Sequence, residues 1–159
     1  MAEISRKDKP PLVLIVDSDK EVVNVLRGYL QEEGFRTSEA YDGIRGVLHA
    51  LNDRPDLIVM ELNLSRLSGY EVIKRLQTVS KRTAQIPILI LSAKALSEEE
   101  ERRLVDLESN VEEFIPKPIT HGSFMVKIHK ILGTGISEKE LLERLERPRH
   151  LQDEEKSIG

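Results

Sequence analysis

The chain has 159 residues, 33% of them charged, with a formal net charge of -4 and neither cysteine nor tryptophan. That length suits one domain with an appendage, and the lack of cysteine excludes disulfides, thiolate nucleophiles and thiolate metal sites. Mild acidity spread along the chain gives no electrostatic case for wrapping nucleic acid, and no apolar run reaches membrane-spanning length, so a cytoplasmic protein with neither nucleic-acid nor membrane partners is expected.

Residues 1–10 read as a flexible polar lead, stopped by Pro10-Pro11. Leu12–Val16 is a continuous apolar run, the first buried strand, and it ends in Asp17-Ser18-Asp19-Lys20. A helix to about Glu33 follows, with Val22, Val23, Val25, Leu26, Tyr29 and Leu30 as its apolar stripe. Gly34 supplies a left-handed end. Phe35–Ala40 is a more polar strand, expected at an edge. Asp42–Leu51 predicts a short helix showing Ile44, Val47, Leu48 and Leu51. His49 on it is a surface or boundary residue, since no second histidine stands at metal-ligand spacing.

Leu57, Ile58, Val59 and Met60 form an apolar run entered from Pro55-Asp56, which suits a central strand covered on both faces. Glu61 sits where the run ends, and Leu62–Leu67 is an open segment. Ser68 with Glu71 makes a capping box for a helix to about Ser80 that buries Val72, Ile73 and Leu76. Lys81–Gln85 reads as a polar loop. Ile88–Leu91 is again central and ends at Ser92-Ala93-Lys94. A second capping box, Ser97 with Glu100, starts a helix whose glutamates 98–101 complement its dipole. Leu104, Val105 and Leu107 are its apolar side. Val111–Ile115 is a short fifth strand running into Pro116-Lys117-Pro118. Thr120 caps a last core helix to Leu132, with Phe124, Met125, Ile128 and Ile131 inward and His129 at the surface.

Five strands alternating with five helices through short connections predict a doubly wound parallel sheet with helices on both faces, spanning residues 11–132. Strands one, three and four, the most apolar, belong in its middle. Residues 133–136 read as a hinge and 137–147 as an extra C-terminal helix, opened by Ser137 and Glu140 with Ile136 and Leu141 as a hydrophobic staple. Leu141, Leu142 and Leu145 give it a narrow seam that either packs back on the domain or serves a dimer contact or signalling helix. Residues 148–159 are expected to be disordered.

The carboxyl ends of parallel strands line one crevice. Asp17, Glu61, Ser92 and Lys117 should converge there: two acids, a hydroxyl and an ammonium, a set able to hold a divalent cation and a phosphoryl group. The segments LIVDSDK, PDLIVMELNLSRLSG, LILSAK and VEEFIPKP, in this order and spacing, resemble the motifs of the CheY-like receiver domain of bacterial two-component response regulators. The resemblance covers about residues 11–132 and implies a flavodoxin-like sheet of strand order 2-1-3-4-5. It implies that Glu61, with Gly69 eight residues on, stands at the phosphoacceptor position. Ser92 corresponds to the switch hydroxyl, Phe114 to the rotating aromatic and Lys117 to the phosphate-binding lysine. Asp17, Ser18, Glu61 and the backbone of Asn63 occupy the magnesium positions.

Two residues depart from the family pattern. Its acceptor is an aspartate, and this chain has Glu61; its second acid in the first motif is here Ser18. Glutamate carries the carboxylate about one methylene farther out, and a misplacement of ~1 Å can cost about a hundredfold in rate. Ser18 removes a charge from a hard-cation site that takes carboxylate oxygens. The expectation is a pseudo-receiver: a non-enzymatic, phosphorylation-independent module working through protein contacts, with no catalytic residue, cofactor or metal. The alternative is a magnesium-dependent domain that takes a phosphoryl group from a histidine kinase on Glu61. Ser18 can instead cap the first helix with Glu21, and Glu61 can pair with Lys117, which would imitate either the activated or the resting state. In this family the fourth helix, fifth strand and fifth helix carry the signal. The segment from Ser92 to Lys117 is longer than in typical members, and Asn110 replaces a glycine commonly found before the fifth strand. That face, or the Leu141–Leu145 seam, is the expected surface for a protein partner or self-association.

Overall fold

The computed structural model describes residues 9–93, 95–107, 110–135 and 138–146, with the backbone alone for 138, 140, 141 and 144. The strands are β1 (Leu12–Val16), β2 (Arg36–Ala40), β3 (Leu57–Glu61), β4 (Ile88–Ser92) and β5 (Val111–Pro116). The helices are α1 (Lys20–Glu32), α2 (Gly43–Asp53), α3 (Gly69–Val79), α4 (Glu98–Asp106), α5 (His121–Leu132) and α6 (Glu138–Glu146). All pairings are parallel and the order is β2-β1-β3-β4-β5, so the most apolar strands are central, as expected. No helix among the described residues is long and apolar enough to cross a membrane.

The period of two along each strand divides the core into two layers. Val13 and Ile15 of β1, with Leu57 and Val59 of β3, meet Val23, Leu26 and Leu30 of α1 and Phe124, Met125 and Ile128 of α5. Leu14 and Val16, with Ile58 and Met60, meet Ala50 of α2, Val72, Ile73 and Leu76 of α3 and Leu104 of α4. At the edge, Ile88 pairs with Val111 but Leu89 with Glu113. Glu112 is therefore an extra residue in β5, a bulge.

Several readings change. Lys81–Ala84 is a one-turn helix, because Ser80 both ends α3 and caps the new turn through Thr83 N. Arg82 of this turn donates to the carbonyls of Ala50 and Leu51 at the end of α2. The cap of α1 is Asp19, whose carboxylate accepts from Glu21 N, and exposed Ser18 leaves it that role. Val25, Leu48 and Val105, read as parts of apolar faces, are exposed, since each apolar stripe is narrower than its run of apolar residues. Leu142 and Leu145 of α6 are exposed as well, so at these two residues the helix does not pack back. The Ser137 capping box, its staple partner Ile136, the side chain of Leu141 and the segment 148–159 lie outside the described residues.

Gly34, at φ +88°, turns the chain out of α1 in the left-handed region, where glycine carries no Cβ penalty. Asn110 fastens β4 to the residues before β5: Ile88 N donates to its carbonyl at 2.9 Å, and its side-chain amide donates to Ala84 O. His49 is a boundary residue, 2.6 Å from Asp53 Oδ2 and 3.2 Å from Ser38 Oγ. His129 is more than a surface residue: it reaches Glu33 of the α1 end across the sequence.

Candidate functional site

Three strands end in buried polar side chains. Asp17 follows β1 and is 2% exposed, Glu61 closes β3 at 7%, and Ser92 closes β4 at 8%. Lys117 follows β5, where its backbone N–H donates to Ser92 O at 2.7 Å and a cis bond joins it to Pro118. The predicted convergence is therefore present, and it is tighter than a single pair. Lys117 Nζ lies 2.9 Å from Asp17 Oδ2 and 2.9 Å from Glu61 Oε2, bridging the two carboxylates.

The remaining carboxylate oxygens are held by backbone. Asp17 Oδ1 accepts from Asp19 N at 2.9 Å, and Glu61 Oε1 accepts from Asn63 N at 3.2 Å. Asp17 Oδ2 and Glu61 Oε2 are cut off from solvent and make no well-angled hydrogen bond, so the ammonium is their electrostatic partner. Burial of Lys117 opposes its charge, but the close carboxylates of Glu61 and Asp17 outweigh that and hold its pKa above the ordinary lysine value.

The loop that carries Glu61 into α3 is fixed by close backbone approach. Gly43 N donates to Ser65 O and Gly69 N to Leu62 O. A Cβ on Gly43 would stand 2.2 Å from Leu67 O, and one on Gly69 would stand 2.8 Å from Leu62 Cα. Arg66, at φ 71°, turns the loop in the left-handed region. Exposed Asn63 and Ser18 flank the crevice.

Beside Glu61 lies a cleft of about 600 Å³ between the start of α3 and α4, walled among others by Ser92, Leu96, Tyr70 and Arg103. The Arg103 guanidinium sits 4.1 Å over the Tyr70 ring, a cation–π contact. Burial, then the charge of Glu100, raises the Tyr70 pKa against the opposing effect of Arg103. Sequence reasoning missed this wall, because the Tyr70–Arg103 pair joins two helices and no local pattern announces it. Phe114 is half-buried, pairs in register with Ile90 and lines a smaller cavity with Ser92 and Leu96.

Magnesium, which the family pattern implies, fits these residues poorly. A hard cation needs several oxygens, and the two carboxylates available already share one ammonium at 2.9 Å each. Ser18 supplies only a hydroxyl. Among the described residues no group of three or more His, Asp or Glu is placed to hold a metal ion.

The strand order and the acid-hydroxyl-lysine crevice at the strand ends define a flavodoxin-like, doubly wound α/β protein. Residues 13–129 match the family described as response regulator receiver domain, and the chain belongs to that family. It is 30% identical over 122 residues to the transcriptional regulatory protein PrrA of Mycobacterium leprae, covering 77% of this chain and 50% of that protein. It is 29% identical over 122 residues to the DNA-binding dual master transcriptional regulator RpaA of Synechocystis, covering 77% and 49%. The chain thus spans about half the length of these curated relatives. In fold it is similar to the chemotaxis response regulator CheY4 of Vibrio cholerae, with a TM-score of 0.71 at 22% identity, covering 78% of this chain and 100% of that one. Receiver domains are signalling modules rather than typical enzymes. The expectation that nucleic acid is not a partner finds no support among these relatives, one of which is described as DNA-binding. The charge argument behind it speaks only for the 159 residues present.

Proposed function

We propose that this chain is a pseudo-receiver: a receiver-fold signalling module that works through protein contacts without accepting a phosphoryl group. The observation that supports this reading most is Lys117 Nζ at 2.9 Å from both Asp17 and Glu61. The two carboxylates share this ammonium, so one of their two negative charges is compensated from within the chain. Glu61, one methylene longer than aspartate, reaches that ammonium directly. An in-line attack on phosphorus needs the acceptor carboxylate free and the developing charge neutralised by the metal. Here the same carboxylate is engaged and Ser18 offers no charge to a metal.

Protein contacts then fall to the α4–β5–α5 face and to α6. Val105 of α4 and Val126 of α5 stand 73% and 68% exposed, and Glu113 of β5 pairs with Lys127 of α5 at 3.3 Å and Lys130 of α5 at 3.2 Å. On α6, Leu142 and Leu145 are uncovered. The relatives' names connect the family with control of transcription, and the residues described here would supply the input side of such a protein.

The test is a magnesium titration followed by beryllofluoride, an acyl-phosphate mimic, read in amide NMR shifts. Silence at Asp17, Glu61, Ser92 and Phe114 is expected. The double variant Ser18→Asp, Glu61→Asp is expected to gain the response. Shifts spreading from Asp17 to Phe114 in the wild type would sink this reading and restore a magnesium-dependent phosphoacceptor.

A further inference from the structure

Glu33 follows the last turn of α1, where a negative charge faces the negative end of the helix dipole. Two imidazoles offset that conflict. Glu33 Oε1 lies 2.8 Å from His129 Nε2, and Glu33 Oε2 lies 3.1 Å from His121 Nε2. His121 stacks on Tyr29 of α1 with ring centroids 4.6 Å apart. His129 tilts against Phe35 at 5.5 Å. The other nitrogen of His129, Nδ1, is 2.8 Å from Thr134 Oγ1, and Thr134 N donates to His129 O at 3.0 Å. Thr134 lies in the connection from α5 toward α6, between Gly133 and Gly135, both with positive φ. A Cβ on Gly135 would stand 2.9 Å from the His129 ring, so the connection lies flat against that imidazole.

We propose that Glu33, His121 and His129 form a proton-operated fastener that sets how the chain leaves α5. The chemistry follows from the two nitrogens of His129. In the neutral ring with the proton on Nε2, that nitrogen donates to Glu33, and Nδ1 accepts from the Thr134 hydroxyl. Gaining a proton turns Nδ1 into a donor. The Thr134 hydroxyl must then rotate to accept, its O–H turning away from the ring. At the same time the Nε2–Glu33 hydrogen bond becomes an ion pair, and His121 doubles the positive charge around the same carboxylate. Groups touching the two rings are Glu33 and Tyr29 from α1, Phe35 at the entry to β2, and Thr134 and Gly135 from the connection. Of these, Glu33 carries charge at neutral pH. Its pKa is held below the ordinary value by the hydrogen bond with His129, against burial and with help from His121. Thr134 is thus where a change in proton concentration becomes a change in backbone anchoring.

The experiment is a pH titration of the full chain from about pH 5 to 8, the range in which imidazoles change charge, read at the Thr134 and Gly135 amides by NMR. A single titration step at both amides is expected. His129→Gln should abolish it while the amides of β1 and β3 keep their shifts, and Glu33→Gln should move its midpoint. Flat Thr134 and Gly135 shifts in the wild type would overturn the proposal whether or not the variants fold. So would a step that persists in His129→Gln, or a midpoint unchanged by Glu33→Gln.

Discussion

Two ionic clusters in this molecule are inverses of each other. At the carboxyl ends of the strands one ammonium, Lys117, sits between two carboxylates; at the end of α1 one carboxylate, Glu33, sits between two imidazoles. Asp17 and Glu61 are almost fully buried, whereas the Glu33 side chain is 33% exposed. Burial makes the first cluster obligatory: removing its cation leaves two anions in a low-dielectric pocket. Exposure makes the second adjustable, because water covers each group when its partner changes charge. On the readings proposed above, the crevice supplies a fixed structural charge and the cluster at the end of α1 the responsive chemistry.

The comparison breaks first at Lys117. Lys117→Met should destabilise the chain by about 3 kcal/mol, within the range for removing one partner of a buried ion pair, read from urea unfolding. Adding Glu61→Gln should return part of that loss, because one uncompensated anion disappears with it. An unchanged unfolding midpoint in Lys117→Met would mean that the buried charges are supported by something other than the lysine. Next in size is Gly43→Ala, which drives a methyl group into Leu67 O and should cost about 2 kcal/mol as an overpacking change, visible in the same assay. It also tests whether the Glu61 loop is fixed from α2.

The pH dependence sharpens the contrast and is smaller. Lys117 has a folded pKa above its ordinary value of 10.5, so its contribution is complete below that value and is lost as pH rises through the folded one. Thermal unfolding of the wild type should therefore weaken more steeply above about pH 10.5 than that of Lys117→Met. Glu33 has a folded pKa below 4.5, so its contribution is complete above that value and is lost as pH falls through the folded one. The stability difference between wild type and Glu33→Gln should shrink in acid as Glu33 takes up its proton. The smallest effect belongs to Val105→Ser on α4, 73% exposed, which should stay within about 0.5 kcal/mol. Reduced self-association or partner binding without that stability change would assign the α4 face a binding role.

Much of this arrangement was legible in the sequence. The apolar runs Leu12–Val16, Leu57–Met60 and Ile88–Leu91 forced three central strands, and the more polar Phe35–Ala40 segment had to lie at an edge. Once those strands are parallel, Asp17, Glu61, Ser92 and Lys117 must meet. What stayed hidden depends on choices between equivalent local options or on contacts distant in sequence. Ser18 and Asp19 are both good caps, and the choice falls to Asp19 because its oxygen reaches Glu21 N. The turn Lys81–Ala84 has no apolar period to announce it. That Lys117 would bridge to Asp17 as well as Glu61, and that His129 would find Glu33 across the chain, follows only from the packing of α5 on α1 and the exit of β5.

The bulge at Glu112 bears on behaviour at high concentration. A parallel sheet ends in rows of unpaired N–H and C=O groups that invite another copy to dock as an extra strand, the route to fibrils. Here the extra residue in β5 breaks the regular spacing on one side and adds local twist. On the other side Arg36, Thr37, Ser38 and Glu39 present a polar, charged row. Stacking of copies edge to edge is discouraged on both flanks of the sheet.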